Sequence, residues 1–217
     1  MTIDWRGYKL QVESAAIGLK NVILIRPLTE TKKGGRLVVI PESLWKRGNT
    51  LSVDSLGFTL ASRDKVVEIK TYIEGELLEK KGREFILSLD TPVAICCGEN
   101  MELDEAIAFI NDRARDFINS NQKQFGENYD CYNAMQSVLA WDNIYDPGIR
   151  RVITPVSRIW SSEWFASEDF GGFTLFCWDT YFASMMLSVG NKELAYANAV
   201  EITKAITESG FVPNCFY

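Results

Sequence analysis

Histidine is absent from the 217 residues. That absence excludes Ser-His-Asp and Cys-His nucleophile pairs within this chain. It also excludes the usual His-based zinc and iron sites. Acid–base chemistry would have to come from Asp, Glu, Tyr, Lys or Cys. Cysteine is sparse and odd in number: Cys96, Cys97, Cys131, Cys177 and Cys215, with no CxxC pair. This pattern fits buried free thiols in a reducing compartment better than a disulfide framework or a zinc site. Calcium bound by oxygen ligands stays open, although no EF-hand loop is present. No metal or cofactor is expected. No basic stripe occurs and the net charge is −6, so nucleic acid is not an expected partner. No apolar run reaches the roughly 18 residues that span a bilayer, so no membrane partner is expected. The opening "MTIDWRGYKL" is mixed and polar, unlike a secretory signal. A cytoplasmic location is expected, or a periplasmic or secreted one if a signal lies upstream.

What the chain does have is apolar content. Hydrophobic residues make up 47 %, enough to build a core. Two regions with different periods share it. Over residues 1–98 the runs "LKNVILIRP", "RLVVIPE", "LGFTLAS", "KVVEIKTYI" and "REFILSLD" read as strands. In the last, Phe85, Leu87 and Leu89 alternate with Glu84, Ser88 and Asp90, with Ile86 the one exception, the two-residue period of a strand with one buried face. Turn signals such as "KKGG" and "KKG" separate the runs. The pattern predicts an antiparallel β-sandwich domain, in which no functional site is evident.

From residue 101 the period becomes helical. Leu103, Ala106, Ile107, Ile110, Ala114, Phe117 and Ile118 form one stripe, preceded by acids that suit a helix N-terminus. This linking helix, within residues 99–127, is expected to run to about Gln124. A second is expected over Tyr129 to Asn143, ending at "YDPG". Residues 146–178 read as a long loop with short strands in "RRVITP" and "GGFTLFCW". Loops of that length are often functional. Two helices follow, about Thr180–Val189 and from Asn191, a cap, to about Glu208. The short break between them predicts an αα-hairpin. The expected class is therefore α+β in two domains, changing near Gly98–Met101, with residues 128–217 helical.

The chemistry lies in "FCWDTYF", Phe176–Phe182. One carboxylate, Asp179, stands among four aromatic rings, and an unpartnered carboxylate is costly to bury. Two readings stay open. Asp179 can be the N-cap of the helix that follows, with the rings in the core. Alternatively, the acid and rings bind a sugar. A pyranose has apolar C–H faces that stack on an indole, and hydroxyl edges that donate charge-assisted bonds to a carboxylate.

Three stretches then carry a resemblance: "AWDNIYDPGIRRVITPVSRIW", "GGFTLFCWDTYFASMM" and "ELAYANAVEITKAITESGFVPN". Together they resemble the opening of the catalytic domain in glycoside hydrolase family 63, which includes α-glucosidases and mannosylglycerate hydrolases. The trehalases of family 37 are similar more distantly. The resemblance covers roughly residues 128–217 and implies an (α/α)6 toroid acting on an oligosaccharide or glycoside. It implies that Trp178 and Asp179 line the sugar-binding subsite, that Asn214 lies near the same pocket, and that Arg158 is the counterpart of a trehalase arginine. Tyr181 joins the substrate-binding set as a pocket wall, with hairpin core as its alternative; for Phe182 core is the expectation. Glu163, Glu168 and Asp169 read as solvated acids of the long loop. Family members invert the anomeric centre with an acid and a base about 6.5–9.5 Å apart, both from hairpins later than the "VPN" turn. No catalytic residue is therefore expected among these 217, and the chain reads as a fragment without hydrolytic activity of its own. An unclosed toroid would expose Ala183, Met186 and Leu187 and favour self-association.

Overall fold

The computed structural model describes residues 1–41, 50–61, 68–140, 144–146, 151–154 and 175–216. The chain is α+β: an antiparallel, sheet-rich N-terminal region is followed by helices. By contacts it divides into Met1–Asn119 and Ser120–Tyr217.

In the first unit the strands are β1 Thr2–Trp5, β2 Tyr8–Ile17, β3 Lys20–Pro27, β4 Arg36–Val39, β5 Thr50–Val53, β6 Gly57–Ala61, β7 Glu68–Glu74, β8 Leu77–Lys81, β9 Glu84–Ser88 and β10 Val93–Cys97. Seven of them form one sheet in the order β1-β2-β3-β10-β7-β6-β5; β4-β9-β8 form a second. The paired strands are antiparallel throughout. The two central strands explain why "NVILI" and "VAICC" are apolar without alternation: both of their faces are covered. On one face Val22, Leu24, Ala94 and Cys96 pack against Met101, Ala106 and Ile110. On the other, Val93 packs with Phe85 and Leu87 of the three-stranded sheet, and Ile25 with Leu89. The two sheets therefore face each other in sandwich-like fashion. Strand β10 is central, yet it escapes a search for alternation because neither of its faces is polar.

Helix α1, Leu103–Phe125, covers the outer face with its first turns. Its start carries Asp104 and Glu105, and Glu105 Oε2 accepts the Glu102 N–H at 3.1 Å. The stripe predicted for this helix is only half buried. Ala106 and Ile110 are in the core, whereas Phe117 and Ile118 are exposed. The contact division falls inside α1 because its first turns belong to the sheet's core.

In the second unit, the end of α1 leads through a 3-10 turn, Gly126–Asn128, into α2, Tyr129–Ala140. The Phe125 and Tyr132 rings stack across that turn, 3.9 Å apart. A small hairpin follows, β11 Ile144–Asp146 with β12 Arg151–Ile153. Then come β13 Leu175–Phe176, α3 Cys177–Ser188, α4 Lys192–Lys204 and β14 Cys215–Phe216. The αα-hairpin is present, and Asn191 caps α4 as expected, its Oδ1 accepting the Leu194 N–H at 3.0 Å. Gly190 sits in the turn where a Cβ would meet the Tyr132 hydroxyl at 2.6 Å, so only glycine lets that ring approach.

One expectation is overturned. Ala183, Met186 and Leu187 are not an open face: they pack with Leu139 of α2 and with Leu194 and Ala195 of α4. The exposed apolar face of α3 is instead Trp178, Phe182, Met185 and Val189. The two stripes have the same helical spacing. The face that α2 and α4 cover becomes the inner one.

Candidate sugar-binding site

The site lies at the start of α3. This helix begins at Cys177, earlier than the sequence predicted, so Asp179 is not its N-cap. The cap position falls to Phe176, which has extended backbone and no capping side chain. A distant segment does the work instead. Strands β13 and β14 pair, with Leu175 opposite Phe216 and Phe176 opposite Cys215. The Cys177 N–H then donates to the Asn214 carbonyl oxygen at 2.9 Å. One of the orphan amides of the helix start is satisfied in this way. No local pattern could have shown it.

Asp179 therefore sits in the first helical turn, where a negative charge complements the helix dipole. It is exposed, and it makes no hydrogen bond or ion pair with another described residue. Trp178 is 67 % exposed and Phe182 is 59 % exposed. Residues three and four apart share a helix face, so Phe182 stands one turn from both Trp178 and Asp179. The reading of Phe182 as core is thus corrected. Its four-residue spacing from Trp178 is the signal in the sequence that the two rings share a face.

Tyr181 goes the other way. It is half-buried against Ile153, Leu175, Ile202 and Val212, and its hydroxyl bonds the Thr203 Oγ1 at 2.8 Å. The structure sets it on the core side of α3, not in the exposed group. Asn214 has an exposed side chain beside the helix start, its backbone held by Cys177. Arg158, Glu163, Glu168 and Asp169 lie outside the described residues.

The buried part of this helix pair includes polar residues. Thr180, Ser184, Asn198 and Glu201 are all buried. Ser184 donates to the Thr180 carbonyl at 2.7 Å, and Lys204 pairs with Glu201 at 2.7 Å. Asn198 accepts the Thr154 N–H at 2.7 Å and donates to the Thr154 hydroxyl and the Leu194 carbonyl, both at 3.1 Å. That triple contact ties the end of β12 to α4. The Thr180 hydroxyl is buried and unpartnered among the described residues.

Chemically, the exposed group offers an indole face, a phenyl face and a carboxylate on one turn of helix. It can stack on an apolar ring face and accept hydroxyl protons. Among the described residues no three of Cys, Asp and Glu gather closely enough to hold a metal ion, and no helix is long and apolar enough to cross a membrane. No protein-family model, curated protein or solved structure matches the chain.

Proposed function

We propose that this chain supplies part of the sugar-binding wall of an exo-acting glycoside hydrolase, built as an N-terminal β-sandwich followed by the first hairpins of an (α/α)6 toroid. Trp178 stacks on the C–H face of a pyranose. Asp179 accepts hydroxyl protons from its edge, and Phe182 and Asn214 flank the same ring. Asp179 is a positioning residue for the sugar, neither the general acid nor the general base of an inverting reaction. The observation that carries this reading is the Cys177–Asn214 backbone bond with the β13–β14 pairing. It brings "WDTYF" and "GFVPN", far apart in sequence, to one spot, with the acid and both rings exposed. A purely structural role for the motif would have buried the rings and spent the carboxylate on a cap.

The second reading, a non-catalytic carbohydrate-binding or assembly module, is favoured by one observation. The apolar stripe continues beyond the sugar group to Met185 and Val189.

Saturation-transfer NMR of the 217-residue chain with methyl α-glucoside and methyl α-mannoside tests the binding claim. One of the two should receive saturation, and Asp179→Asn should weaken it about tenfold, the size of one charge-assisted hydrogen bond. The melting temperature should fall by no more than about 4 °C, the size of the lost helix-dipole contribution, because Asp179 holds no described partner. Absence of transfer from both sugars, or wild-type binding by the variant, sinks the proposal. Release of free monosaccharide from an aryl α-glucoside by this chain would overturn the expectation that it carries neither the general acid nor the general base.

A further inference from the structure

The sheet of seven strands is wider than the sheet of three that faces it, and part of the surplus falls at β1 and β2. These strands form a tight hairpin. Arg6 and Gly7 make its turn, both with positive φ (52° and 87°). Ile3 pairs with Leu10 and Trp5 with Tyr8. Alternation along a strand puts all four on one face. Where that face runs past the second sheet, a pocket of about 390 Å³ opens, lined by Ile3, Trp5, Tyr8, Leu10, Gly35, Arg36 and Leu89. Gly35 keeps its floor clear: a Cβ there would strike the Tyr8 ring at 2.7 Å. Trp5, 59 % exposed, forms an open wall.

The rim is positive. The Arg6 guanidinium lies 4.7 Å from the Trp5 ring centre, and the Lys32 ammonium 5.6 Å from that of Tyr8. The loop carrying Lys32 is held to the hairpin, its N–H donating to the Gly7 carbonyl at 2.8 Å. Arg6, Lys32 and Arg36 make no ion pair with a described residue. Of the nearby acids, Glu30 is paired with Lys9 at 2.9 Å, whereas Asp90 accepts the Gly34 N–H at 2.8 Å and keeps its negative charge. Asp4 alternates to the opposite face of β1. On a chain of net charge −6, three cations without ion pairs to described residues, against the one nearby acid Asp90, give this apolar, aromatic pocket a local excess of positive charge.

We propose that this pocket binds a small aromatic carboxylate, a body of one or two flat rings with a single anionic group. The volume is at the small end of the range for ligand pockets. The walls offer stacking and apolar contact but few hydrogen-bond partners, which disfavours a neutral polyol. The cations at the rim supply the charge that an anionic substituent needs. The site is independent of the one on α3 and does not rest on its reading.

The test is an amide NMR titration of the full chain with 1-naphthoate, set against the neutral 1-naphthalenemethanol. Naphthoate should shift the amides of Tyr8, Leu10, Gly35 and Arg36 saturably. The alcohol should bind about tenfold more weakly, the size of one charge-assisted contact. Lys32→Gln, and Arg6→Asn, which suits the left-handed backbone at that turn, should each move naphthoate toward the alcohol's affinity, with the remaining amides undisturbed. Equal binding of the two compounds, shifts confined to α3, or charge variants that bind naphthoate as the wild type does would each overturn the proposal.

Discussion

Cys96 is fully buried between the central strands and the first turns of α1. Burial pushes its thiol up to about 11, and the neighbouring Glu74 and Cys97 push in the same direction. A thiol with that value is roughly one part in a thousand thiolate at pH 8, and only the thiolate is an effective nucleophile. Cys131, on the surface of α2, has no such protection. Iodoacetamide at pH 8 should therefore label Cys131 within minutes and leave Cys96 unlabelled until the protein is unfolded. Peptide mass spectrometry reads both sites, and equal labelling rates would contradict the burial. The same scale decides the exposed group at the start of α3. Asp179 is informative because it has no described partner, whereas the Tyr181 hydroxyl bonds Thr203 and its ring packs on the Ile153–Leu175–Ile202 core.

At the scale of elements, Asn198 holds the second unit together. It is fully buried, and its amide makes three contacts, two of them to Thr154 at the end of β12. Removing the amide leaves a buried Thr154 N–H without its acceptor, which costs more than the bond itself contributes. Asn198→Ala is expected to lower stability by about 2–3 kcal/mol, measured by urea denaturation. A change within about 0.5 kcal/mol, the range of ordinary surface substitutions, would show that the tether does not matter. Helix α3 teaches a related lesson. Its first residue is set by a strand pair formed with the chain after α4, so a sequence pattern read locally starts the helix too late. Its end was better legible, because Gly190 and Asn191 are local signals for stopping and restarting a helix.

At the scale of the molecule, the exposed stripe of α3 is the feature with consequences. Trp178, Phe182, Met185 and Val189 are exposed on successive turns along one side of α3, and exposed apolar patches of this kind are where association occurs. Copies of the chain are expected to associate through it as concentration rises. The double variant Phe182→Lys/Met185→Lys should return the protein to a monomer in sedimentation velocity without shifting the melting temperature, since both side chains are solvent-exposed. A wild type that stays monomeric as concentration rises would refute the expectation. The face around Met186 and Leu187 cannot serve, because α2 and α4 already cover it.

The sequence alone determined the α+β class, the change of period near residue 100, the helix pair around Gly190 and the absence of histidine chemistry. Each of these is carried by neighbours in the chain: alternation, helical spacing, turn residues and residue types. It did not determine which of two apolar stripes on α3 faces inward, that Tyr181 turns to the core while Phe182 does not, or that Asn214 completes the start of the helix. It also gave no sign of the pocket at the β1–β2 hairpin, which exists because two sheets of unequal width meet. Those outcomes depend on which distant segments pair, and pairing energy is shared among residues that no local window contains together.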